Sequence, residues 1–482
     1  MEKIKNFFFK NTSARQTVVK NTFWLFFAEI GIRLLKLVIF IYAARALGVS
    51  EWGVFSYAFA LMSVFAVFSD IGINAVLTRE AAKNNDHTPL IATGFFLKVL
   101  LSIVTSLALL STILLVKNDP TTKSLIIVMT VILFLDSMRE FGYNLNRAVE
   151  KMEIEAMGKI IPTVILVIAG IIFIHYDKTA LSLAYAYAVS SFIAVIMMYA
   201  SIRSNLKGYL SDFNKKLLLP LFHEAWPLAI VSVFGVLLSN ADTVILGWFK
   251  NSTEVGLYAA AQKPVQIIYL IPSLISIALL PTLTRLSSID KEKMRIGLSK
   301  AINTSFVIAL PLATGAALLG NQLIVLLFGD AFIKAGSIFA IMTAAVIVTT
   351  PGVIISDALF TEGRQKKTAV AIVIGTIANI ILSFTLIPSM GMYGAAIAAT
   401  GAQFASNGYI IFVSRKIPAI RFTLHIRKIV IASIAMAATI LLLLPYLPFI
   451  ALAILSVIVY GVILVLLKEE SITDVKSALF QN

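Results

Sequence analysis

The chain contains no cysteine, which removes disulfides, thiol catalysis and thiolate metal ligands together. Charge is sparse as well, at 13% of 482 residues. The four histidines, His87, His175, His223 and His425, all stand at the ends of apolar runs, where none pairs with a nucleophile. A glycine-rich phosphate loop and a nucleotide-binding domain are missing, so ATP is not expected as a direct fuel. Long outer loops are missing too, and with them the room for an outward catalytic domain. A cleavable leader is not evident. The basic start (Lys3, Lys5, Lys10, Arg15, Lys20) leads into an apolar run far longer than a signal core, which is expected to remain as an anchor.

What is present is hydrocarbon-compatible helix. Hydrophobic residues make up 59% of the chain and mean hydropathy is +0.92, the composition of a polytopic membrane protein. A bilayer core of about 30 Å takes roughly 20 helical residues. Fourteen runs of that kind are read, near 23–47, 53–75, 90–116, 122–145, 158–176, 180–202, 224–249, 254–280, 298–320, 334–358, 365–387, 393–414, 425–445 and 447–467. They are continuously apolar, without the alternation of a barrel strand, so the predicted class is all-α. Pro227, Pro272 and Pro311 inside them read as kinks.

Lysine and arginine fix the expected orientation. With the N-terminus inside, thirty of the forty fall on cytoplasmic segments and five (Lys117, Lys123, Lys178, Lys250, Lys334) on outer loops. Both termini are then cytoplasmic in a multi-pass inner (cytoplasmic) cell-membrane protein. The net charge of +15 is mostly this topology signal; it favours anionic inner-leaflet lipid and does not describe a nucleic-acid footprint. The expected plan is a cytoplasmic tail at 1–22, spans one to six at 23–203, a linker at 204–223, spans seven to twelve at 224–414, spans thirteen and fourteen within 425–467, and a cytoplasmic tail at 468–482.

An internal repeat supports two six-helix halves. Ser50-Glu51-Trp52-Gly53-Val54-Phe55 opens span two and Thr253-Glu254-Val255-Gly256-Leu257-Tyr258 opens span eight; Leu77-Thr78-Arg79 is echoed by Leu283-Thr284-Arg285. Six crossings per copy preserve orientation, which suits two bundles about an axis normal to the membrane with a substrate site between them.

Several strings then resemble a known family. Ala44-Arg45-Ala46-Leu47-Gly48, Gly53-Val54-Phe55, Asp70-Ile71-Gly72 with Arg79, Asp242-Thr243-Val244-Ile245-Leu246-Gly247, Lys263, Pro281 to Arg285, and Gly391-Met392-Tyr393-Gly394-Ala395-Ala396 are similar, in order and spacing, to Wzx-type polysaccharide flippases. These belong to the multidrug/oligosaccharidyl-lipid/polysaccharide exporter superfamily. The resemblance implies two pseudo-symmetric lobes plus two C-terminal helices, a V-shaped cavity opening alternately to each side, and export of lipid-linked oligosaccharide for surface polysaccharide such as O-antigen.

Charges inside spans are expensive and mark paths or binding sites. Glu29, Arg33 and Lys36 share one narrow face of span one, with Arg33 near the midplane at about 1.5 Å rise per residue. Arg33 and Lys36 are expected to hold the pyrophosphate of a polyprenyl-linked oligosaccharide, with Glu29 orienting Arg33 by an i, i+4 pair; the alternative is a self-neutralised structural cluster that locks the lobes together. Lys263, flanked by Gln262 and Gln266 and on the helix of Tyr258, makes a polar, partly aromatic stripe for the glycan. Lys98 is expected to be structural, either snorkelling to the cytoplasmic side or pairing with Asp70.

No cofactor is expected, though coupling to H+ or Na+ would need carboxylates. The candidates for coupling or gating are Glu29, Asp70, Asp136 with Arg139 and Glu140, Asn240, Asp242 and Asp357. No residue set suggests an enzyme or a metal site. The competing expectation is a cation-coupled drug antiporter of the same superfamily, which should show an acidic cavity. Membrane enzymes of glycan assembly are the other expected partners.

Overall fold

The computed structural model describes residues 14–81, 88–115, 120–148, 152–203, 212–420, 422 and 424–469. The tail before Ala14, linker residues 204–211 and the tail from Glu470 lie outside the described residues, as do Lys83, Lys117, Lys151, Lys207 and Arg421 of the topology count. Among the described residues helix is the only regular structure.

The element Ala14–Ala66 breaks at Gly48, whose φ of 77° and ψ of 175° are not helical. It therefore comprises two helices, α1 (14–47) and α2 (49–66). There follow α3 (Ile73–Ala81), α4 (Thr88–Ser111), α5 (Pro120–Ala148), α6 (Met152–Tyr176), α7 (Ala180–Ile202) and α8 (Leu218–Phe249). Then come α9 (Ser252–Ile268), α10 (Leu270–Ile289), α11 (Lys291–Phe328), α12 (Ala335–Thr343), α13 (Val346–Thr361), α14 (Gln365–Met390), α15 (Met392–Ser414), α16 (Arg427–Leu443) and α17 (Phe449–Leu466).

Nine of the described helical segments are long and apolar enough to cross a membrane, or ten when a pair bent by 45° at residues 70–72 is taken as one span. The protein is thus an all-helical, multi-pass membrane protein. Three expected spans fall short for visible reasons. The helix α5 carries Lys123, Asp136, Arg139, Glu140 and Arg147; the expected eighth span is divided at Tyr269 into α9 and α10; and α16 has 17 residues.

The chain forms two compact units, Met1–Asn240 and Ala241–Asn482. Their boundary lies inside α8 and not in the polar linker. The reason is packing: Leu221 and Ala225, at the start of α8, are buried with Ile73, Val76 and Leu77 of α3, Ile91 of α4 and Phe141 of α5. In the first unit α5, α6 and α7 pack on one another, and Gly170 of α6 lets Ile39 of α1 approach its backbone. In the second, α14 and α15 form a close pair, while α11 carries α12, α13, α16 and α17.

The sequence repeat has a physical counterpart in each unit. Neither Thr179, which precedes α7, nor Gly391, which precedes α15, caps its helix with a side chain. A glutamate from the repeat string does it instead. The backbone N–H of Ala180 donates to Glu51 Oε2 and that of Met392 to Glu254 Oε2, both at 2.8 Å. An anionic carboxylate at a helix N-terminus satisfies a free N–H and faces the positive end of the helix dipole.

Candidate functional site

In the first unit the charged stripe of α1 takes the form expected from its spacing. Arg33 Nε donates to Glu29 Oε1 at 2.8 Å, and the two side chains are 44% and 51% exposed. An ion pair that open would be costly against acyl chains. Lys36, one turn further, is partly buried. It lies within electrostatic reach of Asp136, Arg139 and Glu140 on α5 as well as Glu29.

On α5, Arg139 reaches Asp136 at 3.1 Å and Glu140 at 3.7 Å, and Ser191 of α7 donates to Asp136 at 2.6 Å. Arg139 Nε is buried without a hydrogen-bond partner among the described residues. Together α1 and α5 set three cations (Arg33, Lys36, Arg139) against three carboxylates (Glu29, Asp136, Glu140). The net positive charge read from span one alone is therefore balanced by a helix about a hundred residues away in sequence. Spacing along a single helix could not reveal that.

Asp70 and Lys98 meet at 3.2 Å, with the Lys98 side chain 2% exposed. Asp70 also accepts the backbone N–H of Asn74, so one carboxylate caps α3 and neutralises a buried ammonium. Between α2 and α3, Ile71 has φ 39° and Gly72 has φ 80°. A β-branched residue rarely adopts the left-handed region, so this break is strained. Gly72 is held where a Cβ would stand 2.6 Å from the Ala225 carbonyl oxygen of α8. The same α8 turn supplies Glu224, which pairs with Arg79 of α3.

The second unit holds the other candidates except Asn240, which is the last residue of the first. Asp242 is 2% exposed; its Oδ1 accepts from the Thr243 backbone N–H at 2.7 Å and its Oδ2 from the Tyr258 hydroxyl at 2.5 Å. Tyr258 is wholly buried. It presents no surface to a glycan, and its hydroxyl is committed to α8, which moves it from the sugar-facing group to the Asp242 pair. Gln262 and Lys263 are partly exposed and Gln266 is exposed, so the remainder of the stripe is accessible on its own unit. Asn240 turns its amide back to the Val236 carbonyl at 3.0 Å. Asp357 accepts from Ser276 at 2.5 Å.

Sequence reading missed the partners that lie far apart in the chain, such as Ser191, Ser276 and Glu224. It also missed a dense ion network at one end of the first unit. There the wholly buried Glu155 receives Arg147 Nε at 3.1 Å and Lys159 at 2.8 Å, and buried Lys20 pairs with Glu153 at 3.0 Å. Hydrogen bonding to Glu155, followed by its negative charge, holds Arg147 above its ordinary value and so firmly protonated. A cluster of acids and bases flanking a span start is legible in sequence, but its pairing is not.

Multi-pass helical architecture with open charged side chains inside apolar helices defines a polytopic membrane protein with polar surface within its helices. The chain belongs to the polysaccharide biosynthesis protein family, whose model matches residues 18–287. It is 24% identical to a protein of Haloferax volcanii named as the probable low-salt glycan biosynthesis flippase Agl15, over 81% of this chain and 82% of that one. It is 23% identical to the capsular polysaccharide biosynthesis protein CapF of Staphylococcus aureus, over 83% of this chain and 100% of the relative. Its fold is similar to that of the lipid II flippase MurJ in an inward closed conformation, with a TM-score of 0.74 at 18% identity, covering 94% of this chain and 100% of that one.

Proposed function

We propose that this protein is a flippase that carries a polyprenyl-(pyro)phosphate-linked oligosaccharide from the cytoplasmic to the outer leaflet for surface polysaccharide synthesis. The observation that carries the reading is the half-exposed Glu29–Arg33 pair inside an apolar helix of a chain in this family. Such a guanidinium can exchange a carboxylate for a phosphate without being newly desolvated, and its planar fork suits a bidentate anion. In this reading Lys36 and Lys263 add charge at the pyrophosphate, and Gln262 and Gln266 meet sugar hydroxyls. Tyr258 acts through Asp242, which with Asn240, Asp70, Asp136, Arg139, Glu140 and Asp357 belongs to gating or coupling.

The finer architecture is part of the same proposal: fourteen spans, two six-helix lobes that alternate access to a V-shaped cavity, two C-terminal helices, and both termini on the cytoplasmic side of the inner membrane. The broken eighth span, the short α16 and the charged α5 all remain within reach of a bilayer crossing when polar parts face protein or water.

Replacing Arg33 or Lys263 by Ala is expected to abolish glycan export in a strain that depends on this protein, at unchanged membrane abundance. Full export by both variants overturns the site. Export that survives both variants and still requires the protein would identify a scaffold for assembly enzymes. Loss of a proton- or sodium-driven drug efflux in place of glycan export would identify the antiporter.

A further inference from the structure

We propose that Lys98 is a two-position switch: its ammonium exchanges between Asp70 at the α2–α3 junction and Glu140 on α5, fastening α3 in the first position and loosening it in the second. The structure holds the first position. Lys98 Nζ donates to Asp70 Oδ1 at 3.2 Å, from a side chain only 2% exposed. Packing of α4 on α5 places the second partner. Ser102 and Ser137 share a hydrogen bond of 2.6 Å, and the rings of Phe95 and Phe141 lie 5.2 Å apart. Lys98 stands between Phe95 and Ser102 at the three- and four-residue spacing of one helix face, and Glu140 stands between Ser137 and Phe141. The two residues are therefore level on facing helices, and Glu140 lies within electrostatic reach of the ammonium. Its present hold is loose: Arg139 is 3.7 Å from Glu140 but 3.1 Å from Asp136.

Burial makes the exchange two-state. A buried ammonium left without a carboxylate is strongly destabilising, so Lys98 leaves one partner only for another. The carboxylate it leaves bears no such cost. Asp70 and Glu140 are 35% and 47% exposed and need no desolvation when unpaired.

What the exchange moves is α3. Asp70 accepts the backbone N–H of Asn74 at 3.2 Å and directly precedes the left-handed Ile71 and Gly72, so its pairing with Lys98 pins a strained junction to α4. The turn of α5 that follows Glu140 holds α3 from the other side. Thr78 Oγ1 donates to Asn144 Oδ1 at 3.3 Å, and Asn144 Nδ2 donates to the Glu140 carbonyl at 2.8 Å. Arg79 of α3 pairs with Glu224, which carries any movement of α3 to the start of α8. The trigger rests on the flippase reading: a pyrophosphate at Arg33 and Lys36 competes for Arg139, displaces Glu140 and so presents it to Lys98.

The test uses the purified full-length protein, with thermal unfolding and hydrogen-exchange mass spectrometry of the α3 amides. Asp70→Asn and Glu140→Gln should each lower the unfolding temperature modestly, since the other carboxylate covers the ammonium. The double variant strands Lys98 and should lose far more than the two single losses together. Adding Lys98→Met to the double variant should restore most of the loss. Asp70→Asn keeps an acceptor for the Asn74 N–H but removes the charge, so its α3 amides should exchange at least about fivefold faster, the low end of coupling between sites. Farnesyl pyrophosphate should speed α3 exchange in the unmodified protein and leave Glu140→Gln unaffected. A double variant no worse than Asp70→Asn, no rescue by Lys98→Met, or an equal response in Glu140→Gln overturns the switch. The expected variant pattern with no binding of farnesyl pyrophosphate upholds the switch and counts against the pyrophosphate site instead.

Discussion

A carboxylate at position 51 and another at position 254 do the same job in the two units, and that job is worth a measurable amount. Each accepts a backbone N–H at the start of a helix whose own N-cap residue offers no side-chain cap. Replacing Glu51 or Glu254 by Ala should therefore destabilise its unit by about 0.5–2 kcal/mol, the usual cost of a lost cap. Gly391 belongs to the same contact. Its φ is 57°, and a Cβ there would collide with the Glu254 carboxylate. Gly391→Ala should thus cost more than Glu254→Ala, because left-handed strain adds to the lost contact, and the double variant should cost less than the sum by the value of the shared contact alone. Thermal unfolding of the four proteins checks this; additive losses would show that the contact is not shared. The glutamates were legible as a repeat, since Glu51 and Glu254 stand in matching strings. Their role was not, because the N–H groups they serve lie more than a hundred residues away. Tyr258 shows the same limit: its helix and its closeness to polar neighbours were readable, whereas its burial against Asp242 depends on how α8 and α9 pack.

At the scale of elements, the segment joining α2 to α3 is where strain, charge and close packing meet. Ile71→Gly should relieve about 1 kcal/mol of left-handed strain, less the entropy glycine gains when unfolded. Gly72→Ala should do the opposite, through both its φ of 80° and the approach to Ala225. The Arg79–Glu224 pair is exposed on both sides, so on stability alone it is worth little. If α3 is instead a moving element held by that pair, Arg79→Glu should impair transport strongly and Glu224→Arg in the same protein should restore it. A complementation assay of the single and double variants decides, and single variants with full transport would assign the pair to structure alone. The Asp-Ile-Gly string was visible in sequence as a motif, but its left-handed backbone was not, because nothing local requires isoleucine there. Outside the membrane, Asp290 caps α11: the backbone N–H of Lys293 donates to it at 3.0 Å and lowers its carboxyl value, helped by the Lys293 charge. A lowered carboxylate contributes stability that is present above the unfolded value near 3.9. That contribution fades as pH falls through the lower folded value. The protection of the Glu292 and Lys293 amides, relative to the intrinsic exchange rate at each pH, should therefore begin to fall below the unfolded value near 3.9 and be lost as pH passes the lower folded value. Asp290→Ala should show that lower protection already at neutral pH; equal protection in both proteins removes the cap from the account.

For the whole molecule, the balance of charge between α1 and α5 bears on how the cargo of the proposed flippase would feel the membrane potential. Three cations set against three carboxylates leave that cluster neutral, so a pyrophosphate held at the proposed site, with Lys263 as the one further cation, would cross with part of its own negative charge uncompensated. A potential negative inside pushes an anion outward, by about 2.3 kcal/mol per elementary charge per 100 mV across the full membrane. The potential thus assists the outward step, and a coupled ion would be needed for resetting the empty carrier more than for lifting its load. In proteoliposomes with a fluorescent lipid-pyrophosphate oligosaccharide in the leaflet equivalent to the cytoplasmic one, an imposed potential negative on that side should speed transfer. Dissipating the potential with a potassium ionophore should slow it severalfold. Arg139→Gln would leave the cluster with a net negative charge, weaken pyrophosphate binding and steepen the dependence on potential. Transfer that ignores the potential in the unmodified protein would mean that the cargo charge is neutralised in transit. The three carboxylates would then have to be protonated or displaced during each cycle, and the rate would follow a proton gradient instead.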